Sequence, residues 1–143
     1  MALRITRREQ EGISILQLDG RLTFGPEDIE LNDEIRHAIA ARKVRLVIDL
    51  GGVDKIDSAG LGTLLYARAE LRRAGGGLAL ANLKPAHLQI LLVAKLETVF
   101  DVFKNEQDAI NSFFPEREVP HYDLLAVIKG QRPNRARDLQ PTS

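Results

Sequence analysis

The sequence predicts an α/β fold: a mixed β-sheet opened by an N-terminal hairpin and continued by alternating helices and strands, with the helices packed on it. Three observations predict it. Two runs of period-two alternation flank Gly12, the apolar run LVIDL at residues 46–50 reads as a strand buried in the middle of a sheet, and helical patterns separate the later strands.

In the first strand Leu3, Ile5 and Arg7 alternate with charged or polar neighbours, and residues 13–18 form the second arm, expected to be buried on both faces near its end. Asp19-Gly20 reads as the turn that ends it, followed by RLTFGP. Pro26 suits the first turn of a helix, where its missing donor costs nothing, and Glu27, Asp28 and Glu30 lie where the helix dipole favours acids. Leu31, Ile35, Ala38 and Ile39 recur at helical spacing, so the first helix should run from residue 26 to about 42. After the central strand at residues 44–50, Gly51 and Gly52 are expected to open a loop that carries Asp54, Asp57 and Ser58.

The second helix should span residues 58–74, ended by Gly75, Gly76 and Gly77. Gly60, Leu64, Ala67, Leu71 and Ala74 form its core seam at alternating steps of four and three, and Leu61, Leu65 and Ala69 make a second apolar group. That is more apolar surface than one contact requires. It either packs on a neighbouring helix or receives another protein. A short strand at 78–83, a helix at 85–94 begun by Pro85, a brief strand around Val99, Asp101 and Phe103, and a helix at 106–114 capped by Asn105 complete the pattern.

Composition bounds the function. With 143 residues, 44% hydrophobic and 28% charged, the chain is long and apolar enough for one globular domain. The 20 basic residues balance 20 acidic ones, so the positive footprint of a nucleic-acid binder is missing. Five Phe, two Tyr and no Trp leave little for stacking on bases. Without cysteine, disulfides and thiolate sites are excluded. The N-terminal MALRITRREQEG lacks the apolar core of a signal peptide, and no apolar run nears the roughly 18 residues of a membrane span. A cytoplasmic protein without membrane insertion is expected, as a monomer or weak homodimer.

Enzymatic and metal readings find little support. His37, His87 and His121 match no metal spacing, Gly75 to Gly77 lack the lysine and hydroxyl of a phosphate loop, and Ser58 has no histidine or lysine nearby in sequence to act as its base. No cofactor is implied. Ser58 instead reads as a group on which another active site acts. With Asp57 it also forms a helix cap, either oxygen being able to accept from the free donors of the first turn. A phosphate at a helix N-terminus is stabilised by the dipole and those donors, so modification would leave the fold standing while changing the surface charge.

The segment LVIDLGGVDKIDSAGLGTLL, with GGGLALANL after it and GRLT before it, resembles the STAS domain, most closely the bacterial anti-sigma factor antagonists. The resemblance covers about residues 3–114, within an expected domain at 1–115 and a C-terminal extension at 116–143 that is expected to be partly docked or disordered, residues 122–128 being apolar enough to dock and the chain from Lys129 mostly disordered. It implies that an anti-sigma factor serine kinase binds the unphosphorylated chain, phosphorylates Ser58 and thereby lets go, and that a phosphatase resets the switch. Ser58 is then the phosphorylation site, and Asp57, Ser58, Gly20, Arg21, Leu22, Thr23 and Leu61 the partner-binding residues. Thr23 stands where family members often carry an acid, and Phe24-Gly25-Pro26 lengthens the adjoining segment. Two other classes remain open: a non-catalytic scaffold or subunit of a signalling or lipid-transport assembly, and a small-ligand binder.

Overall fold

A computed structural model describes residues 3–130. Its elements are β1 (Arg4–Gln10), β2 (Ile13–Leu22), α1 (Pro26–Ala40), β3 (Arg45–Ile56), α2 (Ser58–Arg73), β4 (Gly77–Ala81), α3 (Pro85–Val93), β5 (Asp101–Phe103), α4 (Glu106–Asn111) and α5 (Leu124–Ile128). Through α4 this is the predicted order. The strands form one sheet in the order β1-β2-β3-β4-β5, with β1 antiparallel to β2 and every later pair parallel. Among the described residues no helix is long and apolar enough to cross a membrane.

Alternation along the strands divides the core in two. Leu16, Leu18, Leu22, Leu46, Ile48 and Leu50 point to the face covered by α1, α2 and α3, where Leu31, Ile35, Leu64, Leu71, Leu88 and Leu91 meet them. Ile13, Ile15, Val47, Ala79 and Ala81 point to the other face, beneath Ala109 and Ile110 of α4. The residues after Pro115 return to the first layer, Tyr122, Leu124, Val127 and Ile128 packing against its core, with α5 beside α3. The basic positions Arg132, Arg135 and Arg137 and the rest of the expected disordered tail lie outside the described residues.

Three expectations are corrected. Double-faced burial falls on the first half of β2, Ile13 to Leu16, because only there does α4 lie on the second face. Asp19-Gly20 does not end β2. The strand continues to Leu22 through register shifts on either side of this dipeptide, and Gly20 takes a φ of 115°, so the glycine serves an irregularity in the ladder rather than a turn. Likewise Gly51 and Gly52 open no loop, since β3 runs on to Ile56. Gly52 is required by crowding: a Cβ there would stand 1.9 Å from Asp19 Oδ1.

The second face carries a polar joint. Asp49 is buried on β3 and accepts from Gly51 N (2.8 Å) and Asn82 Nδ2 (3.0 Å). Glu106 at the start of α4 reaches the same carboxylate and also meets Arg8 Nη2 at 2.6 Å. The hydrogen bond to Asp49, with burial, pushes the Glu106 pKa up, and Arg8 only partly opposes this. A carboxyl with a raised folded pKa adds stability at low pH that is lost as pH rises through that value. The stability of Glu106→Gln relative to the parent should therefore improve as pH climbs above the ordinary carboxylate range, read from urea midpoints at a series of pH values.

The two motif glycines give a second test. A Cβ at Gly60 would lie 2.2 Å from the Leu22 carbonyl oxygen, whereas one at Gly62 would meet nothing within 4 Å. Gly60→Ala should cost about 1–3 kcal/mol through overpacking, and Gly62→Ala should stabilise by up to about 1 kcal/mol through helix propensity. Urea denaturation separates the two by sign.

Candidate functional site

The first turn of α2 is held by one side chain. Asp57 has extended backbone angles, the conformation of an N-cap, and its Oδ1 accepts from Gly60 N at 2.9 Å. Its Oδ2 accepts from Phe24 N at 3.0 Å, and its own N–H donates to the Leu22 carbonyl at 3.3 Å. These contacts tie the end of β2 and the entry to α1 to the start of α2. The donors of Phe24 and Gly60 hold the Asp57 carboxyl below the usual aspartate range, so it stays charged at neutral pH.

Since Asp57 is the cap, Ser58 is not. It occupies the first helical position, is exposed, and its hydroxyl makes no hydrogen bond among the described residues. Of the other residues expected at this surface, Gly20 and Thr23 are half-buried, Arg21 is exposed beside Lys55 of β3, and Leu61 is half-buried. Leu22 has its side chain fully buried in the core, and what it supplies here is a carbonyl, which accepts from Asp57 N and is closely approached by Gly60. Alternation along β2 places Leu22 inward with Leu18 and Leu16. Asp54 sits on β3 with its carboxylate 3.6 Å from Lys84 Nζ, so part of the negative charge expected near Ser58 is already paired.

Beside Ser58 lies a groove of about 570 Å³ between the start of α2 and α3. Leu61, Ile90 and Val93 supply its apolar walls, Ser58 and Gln89 are polar, and among the described residues Asp57 is the only charged one lining it. Val93 is 77% exposed. Leu61 thus both touches the core and faces this groove, which accounts for the second apolar group on α2; Leu65 packs inward and Ala69 is exposed. Near the entry to α1, Phe24 is 82% exposed although its N–H is fixed by Asp57, and Ile29 is exposed as well.

Sequence reasoning missed the α3 wall and Phe24. Both left a signal. The segment PAHLQILLV is apolar on every side, more than a helix buried along one stripe needs. Phe24 is a large aromatic placed directly before Gly25-Pro26, in a segment otherwise made of turn and cap residues.

Comparison with known proteins agrees with this architecture. The family model of the STAS domain matches residues 4–109. The chain is 28% identical over 111 residues to BtrV of Bordetella bronchiseptica, named as a candidate anti-sigma factor antagonist, covering 78% of this chain and 95% of that protein. It is 26% identical over 111 residues to the anti-sigma F factor antagonist of Paenibacillus polymyxa, covering 77% and 94%. Among solved structures, the Bacillus cell fate determinant SpoIIAA in its phosphorylated form superposes with a TM-score of 0.60 at 19% identity, covering 76% of this chain and 98% of that one.

The cap can be tested without any partner. Asp57→Ala should cost about 1 kcal/mol from the lost cap and free the Phe24 amide, seen as faster amide exchange at residues 24 and 60. A depressed carboxyl pKa gives stability that is present above the unfolded value and lost as pH falls through the folded one. The gap between the parent and Asp57→Ala should accordingly shrink below the ordinary carboxylate range.

Proposed function

The chain belongs to the STAS domain family, and from that membership we propose that it is an anti-sigma factor antagonist switched by phosphorylation of Ser58. Unphosphorylated, it binds an anti-sigma factor that is a serine kinase and so controls the availability of a sigma factor. Phosphorylated on Ser58 with ATP as donor, it is released, and a phosphatase restores it. The relatives in Bordetella and Paenibacillus, matched over nearly their whole length, support the antagonist role.

The observation that carries the switch is the division of labour at the start of α2. Asp57 takes the capping bonds, which leaves the Ser58 hydroxyl exposed and uncommitted. A phosphate there would sit at a helix N-terminus, where dipole and backbone donors favour an anion, so the fold survives its addition. The surface would not be the same. About −1.5 to −2 charges would stand at the mouth of an apolar groove, next to the charged Asp57. A partner seated over Leu61 and Val93 would have to desolvate or repel that cluster, and mismatches of this kind cost several kcal/mol.

Incubation with the candidate kinase and ATP, followed by mass spectrometry of the Ser58 peptide, tests the reading directly. The parent should take up one phosphate and Ser58→Ala none, while the alanine variant keeps its affinity. Ser58→Glu should unfold at the parent's urea midpoint and bind the kinase at least about tenfold more weakly, equivalent to about 1.4 kcal/mol. Equal binding by the glutamate variant would reject the charge switch. Absence of phosphate with every kinase tried would favour a scaffold role.

A further inference from the structure

A second cavity opens between the β1–β2 hairpin and the C-terminal half of α1, at the far end of that helix from Phe24 and Asp57. It holds about 330 Å³, at the small end of the roughly 300–1,000 Å³ range of ligand pockets. Along β2 the side chains alternate, so that Ile13 and Ile15 face α4 while Ser14 and Leu16 face α1. Ser14, Leu16 and Leu46 form the floor of the cavity, and Ala38 and Ala41 of α1 and its C-cap form the helix wall.

The floor carries an unmet hydrogen-bonding group. Ser14 is only 8% exposed, yet its hydroxyl makes no hydrogen bond among the described residues. An unpaired buried hydroxyl is costly, and the cavity is the side from which a partner can reach it. The mouth is charged. Arg7 Nε stands 3.6 Å from Glu34 Oε1, and Lys43 Nζ stands 3.8 Å from Glu9 Oε1. Both separations exceed the about 2.7–2.9 Å of a tight charge-assisted bond. Arg8 also lines the cavity, but Glu106 engages it at 2.6 Å. The terminal nitrogens of Arg7 have no partner among the described residues. That free edge of the guanidinium has the fork geometry that grips a carboxylate bidentately, and His37 stands on the same rim.

We propose that this cavity binds a small organic carboxylate. Its apolar body lies on Leu16, Leu46, Ala38 and Ala41, a hydroxyl at its inner end pairs with Ser14, and its carboxylate sits at the mouth on Arg7. A bare inorganic anion would leave the apolar lining unfilled, and an amine would meet Arg7 and Lys43. The site is independent of the function proposed above.

The probe is para-hydroxybenzoate, which places a hydroxyl, a ring and a carboxylate in that order. Titrated at millimolar concentration into the nitrogen-15-labelled full chain, it should shift the amide signals of Ser14, Leu16, Ala38 and Ala41 saturably and leave those of Ser58 and Leu61 in place. The neutral para-hydroxybenzyl alcohol and the cationic para-hydroxybenzylamine should bind at least about tenfold more weakly, the scale of one lost charge-assisted hydrogen bond. Arg7→Gln, an exposed substitution on an edge strand, should weaken the carboxylate by a similar factor. Ser14→Ala should weaken para-hydroxybenzoate severalfold and leave benzoate unchanged, a contrast that loss of folding would not produce. Absence of saturable shifts would mean a cavity filled by water alone and would overturn the proposal. So would equal binding of the alcohol or the amine, or binding indifferent to either substitution. No kinase enters these titrations, so their failure leaves the phosphorylation reading standing, and a failed phosphorylation assay leaves the carboxylate site standing.

Discussion

Everything near Ser58 depends on how the end of β2 is joined to the start of α2. The Leu22 carbonyl receives the Asp57 N–H, Gly60 lets the helix come within contact of that same carbonyl, and the Asp57 carboxylate bridges Gly60 and Phe24. One carboxylate therefore satisfies a helix donor and a loop donor that would otherwise be unpaired. Buried backbone groups left without partners cost about as much as a lost hydrogen bond each, so the position of α2 relative to the sheet is strongly determined. Ser58 inherits a fixed place from a neighbour that does the structural task.

This separation is what the proposed phosphorylation of Ser58 would require. Had Ser58 been the cap, a phosphate would have had to replace a bond on which the helix relied. With Asp57 in that role the hydroxyl is surplus to the fold. The low pKa of Asp57 follows from the same two hydrogen bonds, so the structural constraint and the local electrostatics have one cause. A neighbour charged at neutral pH also means that an added phosphate would deepen an existing negative potential rather than create one.

Much of this was legible in the sequence because it rests on local rules. Periodicity located the strands and helices, Pro26 and Pro85 marked helix starts, and the spacing of Gly60, Leu64, Ala67 and Leu71 identified the buried seam of α2. Other features depend on contacts between distant segments. Asp19-Gly20 has turn chemistry, yet pairing with β3 extends β2 beyond it, and the same pairing, Asp19 with Gly52 and Gly20 with Val53, keeps Gly51-Gly52 within β3. The choice between Asp57 and Ser58 as cap was open for the same reason, since the Phe24 amide that favours Asp57 lies 33 residues away. Leu22 was misplaced by treating it as part of a loop.

Gly60 and Gly62, two residues apart in one motif, have opposite physical causes. Gly60 is explained inside the molecule, where any side chain would strike the Leu22 carbonyl. Gly62 is exposed with open space around it, although a glycine in a helix interior costs up to about 1 kcal/mol relative to alanine. No packing within the described residues offsets that cost. It lies four residues from Ser58 and from Tyr66, on one side of α2, so its missing side chain leaves the helix backbone bare next to the exposed hydroxyl. Bare backbone at that point lowers the relief of the surface beside the groove. Gly62 therefore weakens α2 without relieving any close contact within the described residues.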